Sequence, residues 1–172
     1  MDYTPATFVA ADGSNYRTAN RKSIDLIVIH ITDGRGRARA VAEMWQEPGH
    51  KSSAHFVIGQ DGEVIQAVRV KDIAWHAHSC NKTSVGIEHC ARTPGELGKA
   101  DAGLPLSSEQ YAASAKLVAF LCHKYDLPVD RDHIKGHCEA DPDTSHEDCP
   151  NSIFDWAQYM SLVATEWAQL GS

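Results

Sequence analysis

Two short stretches of this chain carry residue types that can hold a metal ion. The first, "LIVIH", ends on His30 after a run of aliphatic residues. The second, "GHCEADPDTSHEDCP", places His137 directly after a glycine and reaches Cys149 twelve residues later. A catalytic zinc site uses about three protein ligands of nitrogen, sulfur or oxygen type and leaves one position open to water. A polar loop can supply two ligands. The third belongs on a rigid element, because ligand geometry has to be held closely. His30 meets that requirement: it stands where an apolar strand leaves the core, and an imidazole in so apolar a segment needs a polar partner. His30, His137 and Cys149 are therefore the candidate zinc ligands. Ten histidines are many for 172 residues, and most must pack or face solvent. The spacing alone also fits a structural zinc site closed by a fourth ligand, Cys138 or His146.

The elements that must position these groups are legible in outline. "SIDLIVIHIT" (residues 23–32) is a near-continuous, isoleucine-rich run, which predicts a strand buried on both faces. After a polar, glycine-containing turn, "ARAVAEMWQE" sets Ala38, Val41, Ala42 and Trp45 at helical spacing, and "PGH" ends the helix. Asp61-Gly62 between two apolar runs predicts a tight hairpin. "TSVGIEHC" (residues 83–90) reads as another strand, and Gly86 in its interior signals a close backbone approach. Glu88 shares a strand face with Gly86, while Ile87 points the other way. Glu88 is thus either a cleft carboxylate or an exposed one.

"LSSEQYAASAKLVAFLCHKYDL" is the clearest helix. Ser107 or Ser108 can cap it, Tyr111, Ala115, Val118, Leu121 and Cys122 form its apolar face, and Pro128 follows its end. "IFDWAQYMSLVATEWAQL" predicts a C-terminal amphipathic helix. The sum is an α/β fold: a single domain with a central mixed β-sheet flanked by helices. Residues 1–22 read as an N-terminal extension and residues 23–172 as the functional domain.

Composition narrows the function classes. Hydrophobic content of 42% with 23% charged residues is that of an ordinary globular domain. Sixteen basic residues against 23 acidic ones give a net charge of −7, and no basic run exceeds Arg21-Lys22. Nucleic acid and anionic membrane surfaces are excluded as main partners on that balance. No apolar stretch approaches the ~20 residues needed to span a bilayer, so membrane insertion is not expected. The first 22 residues lack a charged start followed by an apolar block, so no signal peptide is visible. Five cysteines, at 80, 90, 122, 138 and 149, leave at least one outside any intramolecular disulfide.

"IVIHIT", "SSAHFVIGQDGEVIQ", "AWHAHSCNKTSVGIEHC" and "GHCEADPDTSHEDCP" occur in the order seen in the type-2 N-acetylmuramoyl-L-alanine amidases. The chain resembles that family over about residues 23–165. Its members are zinc-dependent peptidoglycan hydrolases, similar in fold to peptidoglycan recognition proteins and amidase-type phage lysozymes. The resemblance implies Zn²⁺ on His30, His137 and Cys149, where Cys149 takes a position that relatives fill with cysteine or aspartate. Members that only bind peptidoglycan typically lack that cysteine, so Cys149 points to an enzyme rather than a muropeptide-binding module.

The same resemblance makes Glu88, in "GIE", the general base. It places Trp75, His76 and Asn81 along the substrate cleft, and His55 under the site among the substrate-binding group. Glu147 stands where relatives carry lysine or threonine for the carbonyl oxygen, a departure that leaves either His146 as the donor or the zinc alone in that role. The implied partner is peptidoglycan or a muropeptide, and the implied place of action the bacterial cell wall, as an endolysin or a secreted or periplasmic enzyme; the oligomeric state is open, with a monomer favoured. A Cys80–Cys138 bridge across the cleft mouth is a further expectation, with connectivity left open.

Overall fold

The computed structural model describes all residues except Arg35, Leu97, Lys99, Ser145, Glu147, Asn151 and Ser172. Six strands form the main sheet: β1 (Thr7–Phe8), β3 (Leu26–Ile31), β4 (Phe56–Ile58), β5 (Val64–Gln66), β7 (Ser84–His89) and β8 (Ile134–Gly136), in the order β1-β5-β4-β7-β3-β8. Within this sheet β3 runs parallel to both β7 and β8, β4 runs parallel to β7, β1 runs parallel to β5, and the β4–β5 hairpin is antiparallel. β2 (Tyr16–Arg17) pairs with β6 (Ile73–Ala74) in a separate two-stranded ribbon. The helices are α1 (Ala38–Met44), α2 (Ser108–Tyr125), α3 (His137–Ala140) and α4 (Trp156–Leu170).

The apolar run around β3 becomes a central strand because both of its faces are covered. Ile27 and Ile29 face one core, with Phe56, Ile58, Val85, Ile87 and the α2 residues Leu117, Val118 and Leu121. On the other face, Val57 and Ile65 pack under α1, against Ala38, Val41, Ala42 and Trp45. α1 is only seven residues long and packs on β4 and β5. Beyond its reach, the same face of β3 and β7 presents His30 and Glu88, which are register partners. The short helix is therefore what leaves room for a cleft.

The expected elements form, with local chemistry visible at their ends. Ser107 caps α2 by accepting from the Gln110 N–H at 3.0 Å. In the hairpin, Gly62 takes φ +79° and the Gly59 N–H donates to the Glu63 carbonyl at 2.9 Å. α4 buries only Tyr159 and Val163 and packs against α2. Residues 1–22 contribute the edge strand β1, put Tyr3 and Ala6 into the main core, and send Arg21 beneath the 70–84 segment, where it donates to the Val70, Lys82 and Ser84 carbonyls. All five cysteines are free thiols. The expected Cys80–Cys138 bridge is not formed, because Cys80 Sγ turns instead to the Ala140 carbonyl at 2.7 Å.

Candidate active site

The three candidate ligands converge. His30 closes β3, His137 opens α3, and Cys149 lies in the loop that follows; their ligand atoms all stand within 4.8 Å of one another. Gly136 makes the approach of that loop feasible. A Cβ there would lie 2.6 Å from Pro150 Cδ and 3.2 Å from the Cys149 carbonyl oxygen. That carbonyl accepts from the Cys138 N–H at 3.0 Å, which pins Cys149 beside the start of α3. His30 is held from behind by a buried chain: its carbonyl accepts from His89 Nδ1 at 2.9 Å, His89 Nε2 meets Ser114 Oγ at 2.8 Å, and Ser114 Oγ meets the Tyr159 hydroxyl at 2.7 Å.

The donor set fits a zinc ion. His137 is 5% exposed, and its Nε2 is buried with no hydrogen-bond partner; the nearest carboxylate oxygen, Asp141 Oδ2, stands 3.7 Å away. Burial, with His76 and His137 beside it, holds His30 well below the ordinary imidazole range. Burial and then His146 lower His137 as well. Both rings thus stay neutral and keep a lone pair to offer. Burial, then the Glu88 carboxylate, pushes the Cys149 thiol far up. A coordinated cation is what reverses that effect, since a metal-bound thiol is deprotonated outright. Two imidazoles and one sulfur make a three-ligand set of the catalytic type.

Glu88 projects into the same space. Its Oε2 is buried and unpartnered, and burial, with Asp33 adding to it, raises its carboxyl to about 8. A cavity of about 530 Å³ opens over the group, lined by His30, Glu88, His137, His146 and Cys149, by Val41 and Met44 of α1 and by Trp45 at that helix's C-cap. Trp75 and His76 also line it. His146 is exposed at the rim, with its ring 5.4 Å from that of His137. Glu147 lies outside the described residues.

Asn81 and His55 are not on the cavity wall. Asn81 Oδ1 accepts from the His76 and Ala77 N–H groups at 2.9 and 2.7 Å and so shapes the loop that carries His76. His55 is fully buried under the floor. Its Nδ1 accepts from the Gly86 N–H at 3.0 Å, Arg21 abuts its Nε2, and burial, then Arg21, lowers it to about 3. Sequence reasoning missed the α1 wall, although Val41, Met44 and Trp45 already show an apolar stripe there. It also missed Asp141, which is fully buried and held by His78 Nδ1 at 2.8 Å and Ser79 Oγ at 3.1 Å.

This fold recurs in known proteins, and the sequence matches a known family. The family described as N-acetylmuramoyl-L-alanine amidase matches residues 20–152. An N-acetylmuramoyl-L-alanine amidase A from Achromobacter lyticus is 31% identical over 95% of this chain and 96% of its own length. The 1,6-anhydro-N-acetylmuramyl-L-alanine amidase AmpD of Escherichia coli strain K12 is 34% identical over 66% of this chain, which spans 60% of that relative. Among solved structures, a selenomethionine derivative of AmpD superposes with a TM-score of 0.70 at 24% identity, covering 94% of this chain and 96% of that one. The catalytic domain of XlyA gives 0.71 at 21% identity, covering 92% and 98%. The chain belongs to the N-acetylmuramoyl-L-alanine amidase family. It is a hydrolase of the peptidoglycan amidase class.

Proposed function

We propose that the chain hydrolyses the amide between the lactyl group of N-acetylmuramic acid and the L-alanine of the stem peptide, with zinc on His30, His137 and Cys149 and with Glu88 as general base. The observation that carries this reading is the pair of buried, unpartnered atoms, His137 Nε2 and Glu88 Oε2, in residues lining one cavity. Leaving a buried polar atom unpaired costs about 1–3 kcal/mol. A cation at His137 and a water at Glu88 would satisfy both. When bound, zinc supplies a Lewis acid for the carbonyl and acidifies water to a pKa of ~7.

The remaining tasks fall to the protein. A cation beside Glu88 would favour its ionised form against the burial that raises it, and the carboxylate then takes the proton of the attacking water and returns it to the nitrogen as the C–N bond breaks, so one group serves both transfers. Trp75 and the α1 wall offer apolar surface to sugar and peptide. His146 is the N–H donor at hand for the developing negative charge, since its ring stands beside that of His137. The catalytic domain is taken as residues 23–172, with residues 1–22 an extension whose Arg21 braces the floor. The substrate places its action at the bacterial cell wall, and no helix of the described residues is long and apolar enough to cross a membrane.

The test is mass spectrometry of purified walls digested by the zinc-loaded protein. Free stem peptides beginning with L-alanine are expected. Glu88→Gln should keep metal and fold while losing about 10²–10⁴-fold in rate. Wall binding without peptide release would instead mark a muropeptide-binding module, and a full rate in the Glu88→Gln variant would remove Glu88 as the base.

A further inference from the structure

One face of β7 carries Ser84, Gly86 and Glu88 in alternation, and only Glu88 has a role so far. The other two meet His76. A Cβ at Gly86 would lie 2.4 Å from His76 Cγ and 2.6 Å from His76 Nδ1, so the ring rests directly on the glycine. Ser84 lies at the far edge of the ring, with Oγ 3.2 Å from His76 Nε2. Asn81 fixes the backbone that delivers the ring, through the His76 and Ala77 N–H groups.

Proton counting then settles the tautomers. The Ser84 hydroxyl has one proton and gives it to the Cys80 carbonyl at 2.7 Å, because a carbonyl can only accept. Ser84 Oγ therefore meets His76 as an acceptor, and Nε2 carries the proton of the neutral His76 ring. That leaves a lone pair on His76 Nδ1, which faces His30 Nε2 at 3.1 Å. Two facing nitrogens need one proton between them, and it must come from His30. His30 is then protonated on Nε2 and bare on Nδ1.

We propose that Ser84 and His76 form a hydrogen-bond relay that fixes His30 as its Nε2–H tautomer and makes Nδ1 the atom that binds the metal. The proposal rests on the zinc reading above. His76 becomes a positioning residue acting through His30, which is distinct from a contact to substrate. It is the arrangement by which ligating histidines generally have their other nitrogen occupied and their ring orientation set.

The experiment uses the full chain with ¹⁵N-labelled histidine, first free of metal and then titrated with Zn²⁺ alone. Long-range ¹H–¹⁵N correlations should show Nε2–H for both His76 and His30 in the metal-free protein, and zinc should shift Nδ1 of His30. His76→Ala should lower zinc affinity about 10–100-fold in a chelator competition, the usual effect of losing such a partner. Ser84→Ala should move it less in the same direction, and Ser84→Thr should restore it. Thermal midpoints of the metal-free variants separate these effects from lost folding. A His30 protonated on Nδ1, or a folded His76→Ala protein that binds zinc as tightly as wild type, overturns the relay. Relay tautomers in a protein whose His30 nitrogens ignore zinc would overturn the ligand assignment beneath it, and the metal half of the proposal with it.

Discussion

Gly86→Ala puts a sign, and not only a size, at stake. Glycine in a strand interior is disfavoured by about 0.5–1 kcal/mol relative to alanine, so on propensity alone the substitution should stabilise the protein. The structure says otherwise. The new methyl would sit 2.4 Å from His76 Cγ, 2.6 Å from Nδ1 and 2.7 Å from Cδ2, closer than real Cβ contacts come. The ring cannot easily step aside, because Ser84 and His30 hold its two nitrogens and Asn81 holds its backbone. Forcing an extra methyl into such a contact typically costs about 1–3 kcal/mol. For a chain of this size each kcal/mol moves the thermal midpoint by roughly 2–4 °C. Metal-free protein followed by circular dichroism or calorimetry should therefore melt several degrees lower as Gly86→Ala, and its zinc affinity should fall as His76 is displaced. A variant that melts at or above the wild-type temperature would refute the close packing of His76 on β7.

Three other outcomes follow from the same geometry. Cys149→Ser should lose zinc on dialysis against a chelator under conditions where the wild type retains it; equal metal content by elemental analysis would remove Cys149 from the ligand set. Gly136→Ala should also weaken metal retention, because its Cβ would meet Pro150 Cδ at 2.6 Å and push the Cys149 loop away from His137; metal binding unchanged from wild type would contradict that contact. Acid should destabilise the metal-free fold through His55, lowered from 6.5 to about 3 by burial and then by Arg21. Because its folded-state value is depressed and the neutral ring is the folded form, this stability is complete above pH 6.5 and is lost as pH falls toward about 3. The linkage amounts to about 2 kcal/mol near pH 5. Denaturant titrations of wild type and His55→Gln should show a shallower acid dependence in the variant, and parallel curves would argue against a neutral, buried His55.

Much of this protein is local enough to be read along the chain. The aliphatic run ending at His30, the Asp61-Gly62 turn and the Ser107-capped helix declare themselves because each is specified by neighbours within a few residues. The candidate ligands His30, His137 and Cys149 are legible along the chain as residue types, and the fold brings their ligand atoms within 4.8 Å of one another. The two-residue strands β1, β2 and β6 and the three-residue β8 carry no such signal, since their pairing partners lie elsewhere in the sequence.

What only the tertiary structure decided is where each histidine sits and what surrounds it. Composition offers ten. The fold sends His55 under the floor, locks His89 between His30 and Ser114, and presses His76 onto a glycine ten residues further along the chain. A ring's tautomer and its access to a metal depend on which donors and acceptors surround it. Those are supplied by strand register and loop crossings, and no single segment contains them.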